Sequence, residues 1–193
     1  MKGYKQSRLK GILFAIIGAS LWGLGGTVSD FLFKHAGINV DWYVTTRLII
    51  SGLFLLVMFK IMNSRQSIFV IFTRVSHVIT LIIYSLFGML IVQYAYMASI
   101  NEGNAAVATL LQYIAPVYII LWFAFRGKEK LRAFDIVVVL LTLIGTFLLL
   151  TNGSLSKLIV APSSLFWGIL AGLALAFYTI YAEKLLNKYA SIL

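Results

Sequence analysis

Six long and almost uncharged apolar runs constrain this chain more than any other feature. They cover residues 11–33, 41–61, 76–99, 103–125, 133–151 and 163–186. Each run is close to 20 residues or longer, which is the length that an α-helix needs to cross the hydrocarbon core of a bilayer. Charged and turn-forming residues separate the runs. We therefore predict about six transmembrane segments.

The runs predict helices rather than the strands of a membrane barrel. A barrel strand alternates apolar and polar residues over about ten positions, whereas these runs are continuously apolar. Backbone N–H and C=O groups in lipid must be paired inside the protein, and a helix pairs them within one segment. The predicted fold class is an all-α integral membrane protein.

Composition agrees with a membrane protein and excludes other classes. The chain is 61% hydrophobic and 11% charged, whereas about a quarter of the residues in soluble domains carry charge. The net charge of +10 would suit nucleic acid only if Lys and Arg were gathered on one face, but the basic residues fall in short gaps between the apolar runs. We expect the lipid bilayer, and no nucleic acid, as a partner.

The basic residues also predict the orientation, because short loops rich in Lys and Arg stay in the cytoplasm. Gaps rich in basic residues alternate with three gaps that are poor in them. The first of these three carries Lys34, the second has no basic residue, and the third carries Lys157. Both termini should therefore be cytoplasmic, in a multi-pass protein of the cell (plasma) membrane. The first run is too long for a signal peptide. The cytoplasmic set is Lys2, Lys5, Arg8, Lys10, Lys60, Arg65, Arg74, Arg126, Lys128, Lys130, Arg132, Lys184 and Lys188.

Two of the predicted helices carry small residues at four-residue spacing, which lets helix backbones approach closely in a membrane. Aligning the two rows also aligns residues 12–13 with 169–170, both Ile-Leu. Such rows are common in membrane helices; alternatively, they mark a five-helix repeat whose second copy is inverted, as in many secondary transporters. The rows are Gly11, Ala15, Ala19 and Gly23, and Gly168, Gly172 and Ala176.

The repeat interpretation divides the chain unequally. Residues 1–157 would form the first five-helix repeat, and residues 158–193 would begin a second, inverted and incomplete one. We infer from this a fragment, a truncated reading frame, or a half-size protein that pairs with another chain. A second half or a homodimer is thus an expected partner.

Several short motifs occur in a characteristic order. Residues 104–150 contain an Ala-rich helix, a mid-helix Pro116, a turn with Glu129, and a further helix with Gly145. Earlier, residues 19–23 read ASLWG, and Arg47 stands early in the second helix. Together these segments resemble the EamA family of the drug/metabolite transporter superfamily. The turn departs slightly, with Gly-Lys-Glu where the family usually has Gly-Glu.

This resemblance implies a ten-helix bundle of two inverted five-helix halves, of which this chain is the front part. It also implies export of amino acids or other small metabolites by alternating access, and hence a small-molecule substrate. Helices seven to ten are missing, so the resemblance does not establish transport by this chain alone. A non-transporting membrane subunit or scaffold, or a truncated product, is the alternative.

Pro116 and Gln112 are candidate substrate-binding residues. Pro116 lacks an N–H, and its ring crowds the carbonyl of Gln112 one turn earlier. A free carbonyl and an amide side chain therefore coincide near the bilayer midplane, where substrate sites of such transporters lie. A tolerated kink, with Gln112 bonded to a neighbouring helix, is the structural alternative.

Arg47 is a third candidate, because it lies about two turns inside helix two and would be costly if it faced lipid. It should face the bundle interior or a wet cavity. Alternatively, it extends to the outer interface or pairs with Glu102.

Tyrosines and a tryptophan complete the predicted site. Trp22, Tyr94, Tyr113 and Tyr178 combine aromatic surface with a polar group, which suits a cavity wall for organic solutes. Tyr96 shares this character. Aromatic residues also form the interfacial belt of membrane proteins, and both interpretations stay open.

Nothing in the sequence indicates an enzyme or a cofactor. Neither G-x-S-x-G nor H-E-x-x-H occurs, and an intramembrane enzyme would need such a constellation. His35 and His77 are far apart and on predicted opposite sides of the membrane. We expect no catalytic residue, no metal and no cofactor.

Overall fold

The computed structural model describes residues 2–62, 72, 74–127, 132–151 and 160–189, with the side chains of 2–10, 149, 184 and 186–189 left aside. Five residues named above lie outside the described residues: Arg65, Lys128, Glu129, Lys130 and Lys157.

Regular structure in the described residues is helical throughout. A π-helical segment, Tyr84–Leu90, joins α3 to α4 without interruption. The helices are α1 (Lys2–Ala36), α2 (Val40–Met62), α3 (Val75–Ile83), α4 (Ile91–Glu102), α5 (Ala105–Gln112), α6 (Ala115–Phe125), α7 (Ala133–Thr151) and α8 (Pro162–Tyr189).

Five stretches are long and apolar enough to cross a membrane: Gly11–Ala36, Val40–Met62, Val75–Glu102, Ala105–Phe125 and Pro162–Glu183. A sixth apolar helix, Ala133–Leu148, is shorter. The third span thus consists of α3, the π segment and α4, and the fourth of α5 and α6. The predicted all-α membrane fold is confirmed.

Tight turns and side-chain caps organise one end of the bundle, which we call the Asp30 end. Gly37 adopts a φ of 62°, a left-handed conformation that glycine tolerates best, and reverses the chain between α1 and α2. Asn104 begins α5 by accepting a hydrogen bond from the backbone N–H of Val107 at 2.9 Å. A carboxylate oxygen of Asp30 accepts from the N–H of Ala105 at 3.4 Å. Asp30 thereby ties α1 to the start of α5.

Helix α8 is the centre of the bundle, since it packs against α4, α5, α6 and the π segment. Its small-residue row allows this. A Cβ atom added to Gly172 would lie 2.9 Å from the carbonyl oxygen of Leu111, and one on Gly168 would collide with the Leu111 side chain. Two buried serines join α8 to α4: Ser99 and Ser164 each donate to the other's carbonyl oxygen at 2.8 Å.

The matching row in α1 has a different environment. Nothing lies within 4 Å of a Cβ added to Gly11 or Gly23, and Ala15 and Ala19 are exposed. Within the described part of the chain, only the α8 row therefore serves as a helix–helix interface.

Candidate functional site

The fourth span is broken near its middle. Helix α5 ends at Gln112, residues 113 and 114 form a turn, and α6 restarts at Ala115 with Pro116 in its first turn. The turn is tight, because the N–H of Ile114 donates to the carbonyl of Leu111 at 3.2 Å. Pro116 has no N–H to offer the Gln112 carbonyl. The break lies where Pro116 predicts it.

Gln112 is the polar residue at this break. Its side chain is 2% exposed, and its Nε2 has no hydrogen-bond partner among the described residues. Its backbone carbonyl faces α8, 3.5 Å from the position of a Cβ added to Gly172. An amide donor buried without a partner costs about 1–3 kcal/mol. An oxygen atom of a bound solute would satisfy this donor.

The π segment is a second irregularity, in the third span. Such segments are rare and frequently occur at functional sites. Its Gly88 is buried against α8, where an added Cβ would lie 3.4 Å from a ring carbon of Tyr178 and 3.7 Å from its Cα. Both broken spans therefore pack against the continuous helix α8.

Tyr178 belongs to a stack of aromatic rings at this contact. Its ring lies 5.0 Å from that of Tyr84 and nearly parallel to it, and Tyr181 stacks with Phe177 at 5.4 Å. The stack links the start of the π segment to the second half of α8.

Trp22 lies above Tyr96 of α4, with 6.2 Å between ring centroids, and is 43% exposed. The buried Tyr96 hydroxyl lies 2.9 Å from Thr109 Oγ1, which itself donates to the carbonyl of Ala105 at 2.7 Å. The Tyr96 hydroxyl is therefore the donor to Thr109. A Cβ atom added to Gly26 of α1 would lie 2.7 Å from the Tyr96 hydroxyl oxygen, so Tyr96 occupies the space beside this glycine.

Tyr94 occupies a separate place. Its ring packs edge-on against Trp167 of α8, with 5.6 Å between the ring centroids. Tyr94 thus connects α4 to α8.

Arg47 projects from α2, with its Nη1 4.0 Å from the sulfur of Met97. It lines an open groove of about 540 Å³, which we call the Arg47 groove. The considered pairing with Glu102 does not occur, since Glu102 accepts a hydrogen bond from Ser163 at 2.9 Å. The other groove residues are Trp42, Tyr43, Thr46, Ile50, Ser51 and Phe54.

The seven predicted site residues therefore do not share one cavity. Gln112 lies at the break beside α8, Trp22 lies over Tyr96, and Arg47 lines its own groove. Tyr113 and Pro116 are exposed on the outside of the described chain, and Tyr113 is 55% exposed. The remaining two, Tyr94 and Tyr178, belong to separate aromatic contacts.

Three residues at these places were not assigned to the site from the sequence: Tyr84, Thr109 and Trp167. Their one common signal is a polar or aromatic side chain inside an apolar run, and many other positions share it. In the described ranges, no three His, Asp or Glu side chains cluster as a metal site would need.

Comparison with known proteins gives one family and two relatives. Residues 9–151 match the EamA-like transporter family. The chain is 34% identical over 186 residues to the uncharacterized inner membrane transporter YicL of Salmonella typhimurium, which covers 96% of this chain and 61% of the relative. It is 30% identical over 90 residues to the uncharacterized transporter YxxF of Bacillus subtilis, covering 46% of this chain and 29% of that relative. This chain thus spans about three fifths of the length of YicL. No solved structure matches it.

Proposed function

Because the chain belongs to the EamA-like transporter family, we propose that it carries the substrate site of a membrane exporter of amino acids or other small metabolites. The proposed cycle is alternating access, in which one bundle rocks against another around a site near the bilayer midplane.

The buried, unpartnered amide of Gln112 is the observation that carries this proposal. Gln112 stands seven residues after the start of α5, and the facing Gly172 stands ten residues after the start of α8. At 1.5 Å per residue these positions lie about 10 and 15 Å from the Asp30 end. The hydrocarbon core is about 30 Å thick, so the site is close to its middle.

The two breaks supply the flexibility that such a cycle needs. The π segment changes the helical hydrogen-bond pattern within the third span, and the turn at residues 113–114 interrupts the fourth, whereas α8 is one continuous α-helix. We propose that α8 is the rigid side of the site, and that bending of the third and fourth spans at their breaks changes access to Gln112.

A second half completes the proposed transporter. On this proposal residues 1–157 form the first repeat, and residues 158–193 begin the inverted second repeat. The exposed small-residue row of α1 would then pack against helices outside the described chain, in a second half or a second copy, as the α8 row packs on α5. Lys60, Arg74, Arg126 and Arg132 lie at the end opposite Asp30, which supports cytoplasmic termini.

Transport by reconstituted protein tests the proposal. The chain, with any chain that copurifies, is placed in liposomes loaded with a mixture of isotope-labelled amino acids, and efflux is followed by mass spectrometry. Gln112→Leu should slow efflux at least about tenfold, since it removes the donor to the solute. Thr179→Val is the matched control, because Thr179 is exposed and donates within its own helix to Leu175 at 2.8 Å.

Two results would contradict the proposal. Efflux that Gln112→Leu leaves unchanged would remove Gln112 from the substrate site. If wild-type protein moves no labelled amino acid, export of amino acids is refuted; if it also moves no other labelled small metabolite, the chain acts instead as a non-transporting subunit or scaffold, or as a truncated product.

A further inference from the structure

Arg47 places a positive charge well inside the second span. It stands seven residues after the start of α2, which is a rise of about 10 Å along the helix. A charged side chain at such a depth is costly in lipid and usually marks a pathway or a binding site.

The guanidinium group is not drawn out to the end of the bundle. Its Nη1 lies 4.0 Å from the sulfur of Met97, a residue that is 1% exposed on α4. Met97 stands five residues before the end of α4 at Glu102, which is about 7 Å of helix rise. The positive charge is therefore held at the depth of Met97.

No carboxylate in the described residues neutralises this charge. Asp30 forms an ion pair with Lys34 at 2.8 Å, and Glu102 accepts a hydrogen bond from Ser163 at 2.9 Å. The described part of the chain contains no ion pair to Arg47. A guanidinium has five N–H donors in a planar fork, which suits the two oxygens of a carboxylate or phosphate.

The surroundings of Arg47 suit an anion with an apolar body. The groove is open, has a volume of about 540 Å³, and is lined by residues of α2. Trp42 and Phe54 offer aromatic surface at either end of the groove, and Thr46 and Ser51 add hydroxyl groups. Tyr43 is held in place by a hydrogen bond of 2.9 Å to Ser29 of α1.

We propose that the Arg47 groove binds the carboxylate of an apolar or aromatic organic acid. The guanidinium holds the two oxygens, and the body of the solute packs against Trp42 or Phe54. This proposal rests on the proposed function, for which the groove would select acids among the transported solutes. A lipid phosphate shares the anionic chemistry, and the test below separates the two sources.

Binding of two probes that differ only in charge tests the proposal. The full chain in dodecyl maltoside is titrated with 3-phenylpropionate and with 3-phenylpropanamide, and tryptophan fluorescence is recorded. We expect the acid to bind roughly 10- to 100-fold more tightly, the range for a charge-assisted hydrogen-bonded pair. Arg47→Gln should abolish this difference and leave the amide affinity unchanged, whereas Arg47→Lys should retain part of it.

Arg126→Gln is the matched control. It removes the same charge at a site outside the groove, where Arg126 stacks on Trp122 at 4.6 Å, and should leave the acid preference intact. Equal binding of both probes, binding of neither, or an acid preference that survives Arg47→Gln would overturn the proposal. So would an Arg47-dependent affinity for phosphatidylglycerol with no preference for the soluble acid, which would assign the groove to lipid.

The binding result is separate from the transport result. If the acid preference depends on Arg47 but wild-type protein moves no solute, the proposed function fails and the anion site stands. If transport is intact but the probes bind equally, the anion site alone fails.

Discussion

Replacing Gly172 by Ala tests the close approach of α8 to the backbone of α5. The added methyl carbon would lie 2.9 Å from the carbonyl oxygen of Leu111 and 3.4 Å from a ring carbon of Tyr118. Close C–H···O contacts have carbon–oxygen distances of about 3.3–3.6 Å, so α5 and α8 must separate by about 0.4 Å or more. A backbone carbonyl cannot rotate away as a side chain can.

The expected loss of stability follows from these distances. Overpacking of this kind costs about 1–3 kcal/mol, and the better helix propensity of Ala returns up to about 1 kcal/mol. We expect Gly172→Ala to lower the free energy of unfolding by about 1–2 kcal/mol. Gly145→Ala is the control, because nothing lies within 4 Å of its added Cβ, and it should be neutral or stabilising by up to about 1 kcal/mol.

Unfolding in dodecyl maltoside micelles with increasing SDS, followed by tryptophan fluorescence, measures both variants. Combining Gly172→Ala with Leu111→Ala provides a further check. The clash involves the Leu111 carbonyl, which the second substitution keeps, so Leu111→Ala should not rescue stability. Equal stability of Gly172→Ala and Gly145→Ala would refute the close approach of α5 and α8.

Three further predictions use the same unfolding assay. Ser99→Ala and Ser164→Ala should each lower the free energy of unfolding by about 0.6–1.7 kcal/mol, because each removes a hydroxyl that donates to the other residue's backbone carbonyl; no loss in either variant would contradict the reciprocal pair. Gln112→Leu should stabilise the chain by about 1 kcal/mol, since it removes an unpartnered buried donor, and a clear loss would mean that the amide has a partner. Ala19→Leu should change the free energy of unfolding by less than about 0.5 kcal/mol, because Ala19 is exposed. A larger loss would mean that the small-residue row of α1 packs against another helix of this chain.

The extent of the helices was predictable because a single physical rule governs it. Lipid offers no hydrogen bonds to the backbone, so each apolar run must pair its own N–H and C=O groups. The break in the fourth span was predictable for a similar local reason, since Pro116 lacks an N–H whatever surrounds it. The π segment was not predictable. Residues 84–90 are as apolar as their neighbours, and the observed contact of Gly88 with Tyr178 depends on how α8 packs.

The sequence indicated candidate site residues by their type, and their role stays a prediction; which of them lie together could not be read from the sequence. Gln112 is buried as expected of a site residue, whereas Tyr113, its neighbour, points away from the described bundle. Successive residues of a helix differ by about 100° in direction, so the neighbouring helices decide which residue is enclosed. The sequence alone does not show which helices pack against this segment.

The small-residue rows of α1 and α8 show most clearly what the sequence determines and what only the tertiary structure decides. By itself, the sequence determined that this chain is a helical membrane protein with small residues aligned in its first and sixth spans, because hydrophobicity and backbone pairing act along the chain. Only the tertiary structure decided that Gly172 meets a carbonyl of α5 while Gly11 and Gly23 meet nothing within 4 Å. Lipid exerts no hydrophobic force between helices, so shape complementarity across helices distant in sequence determines which rows are in contact.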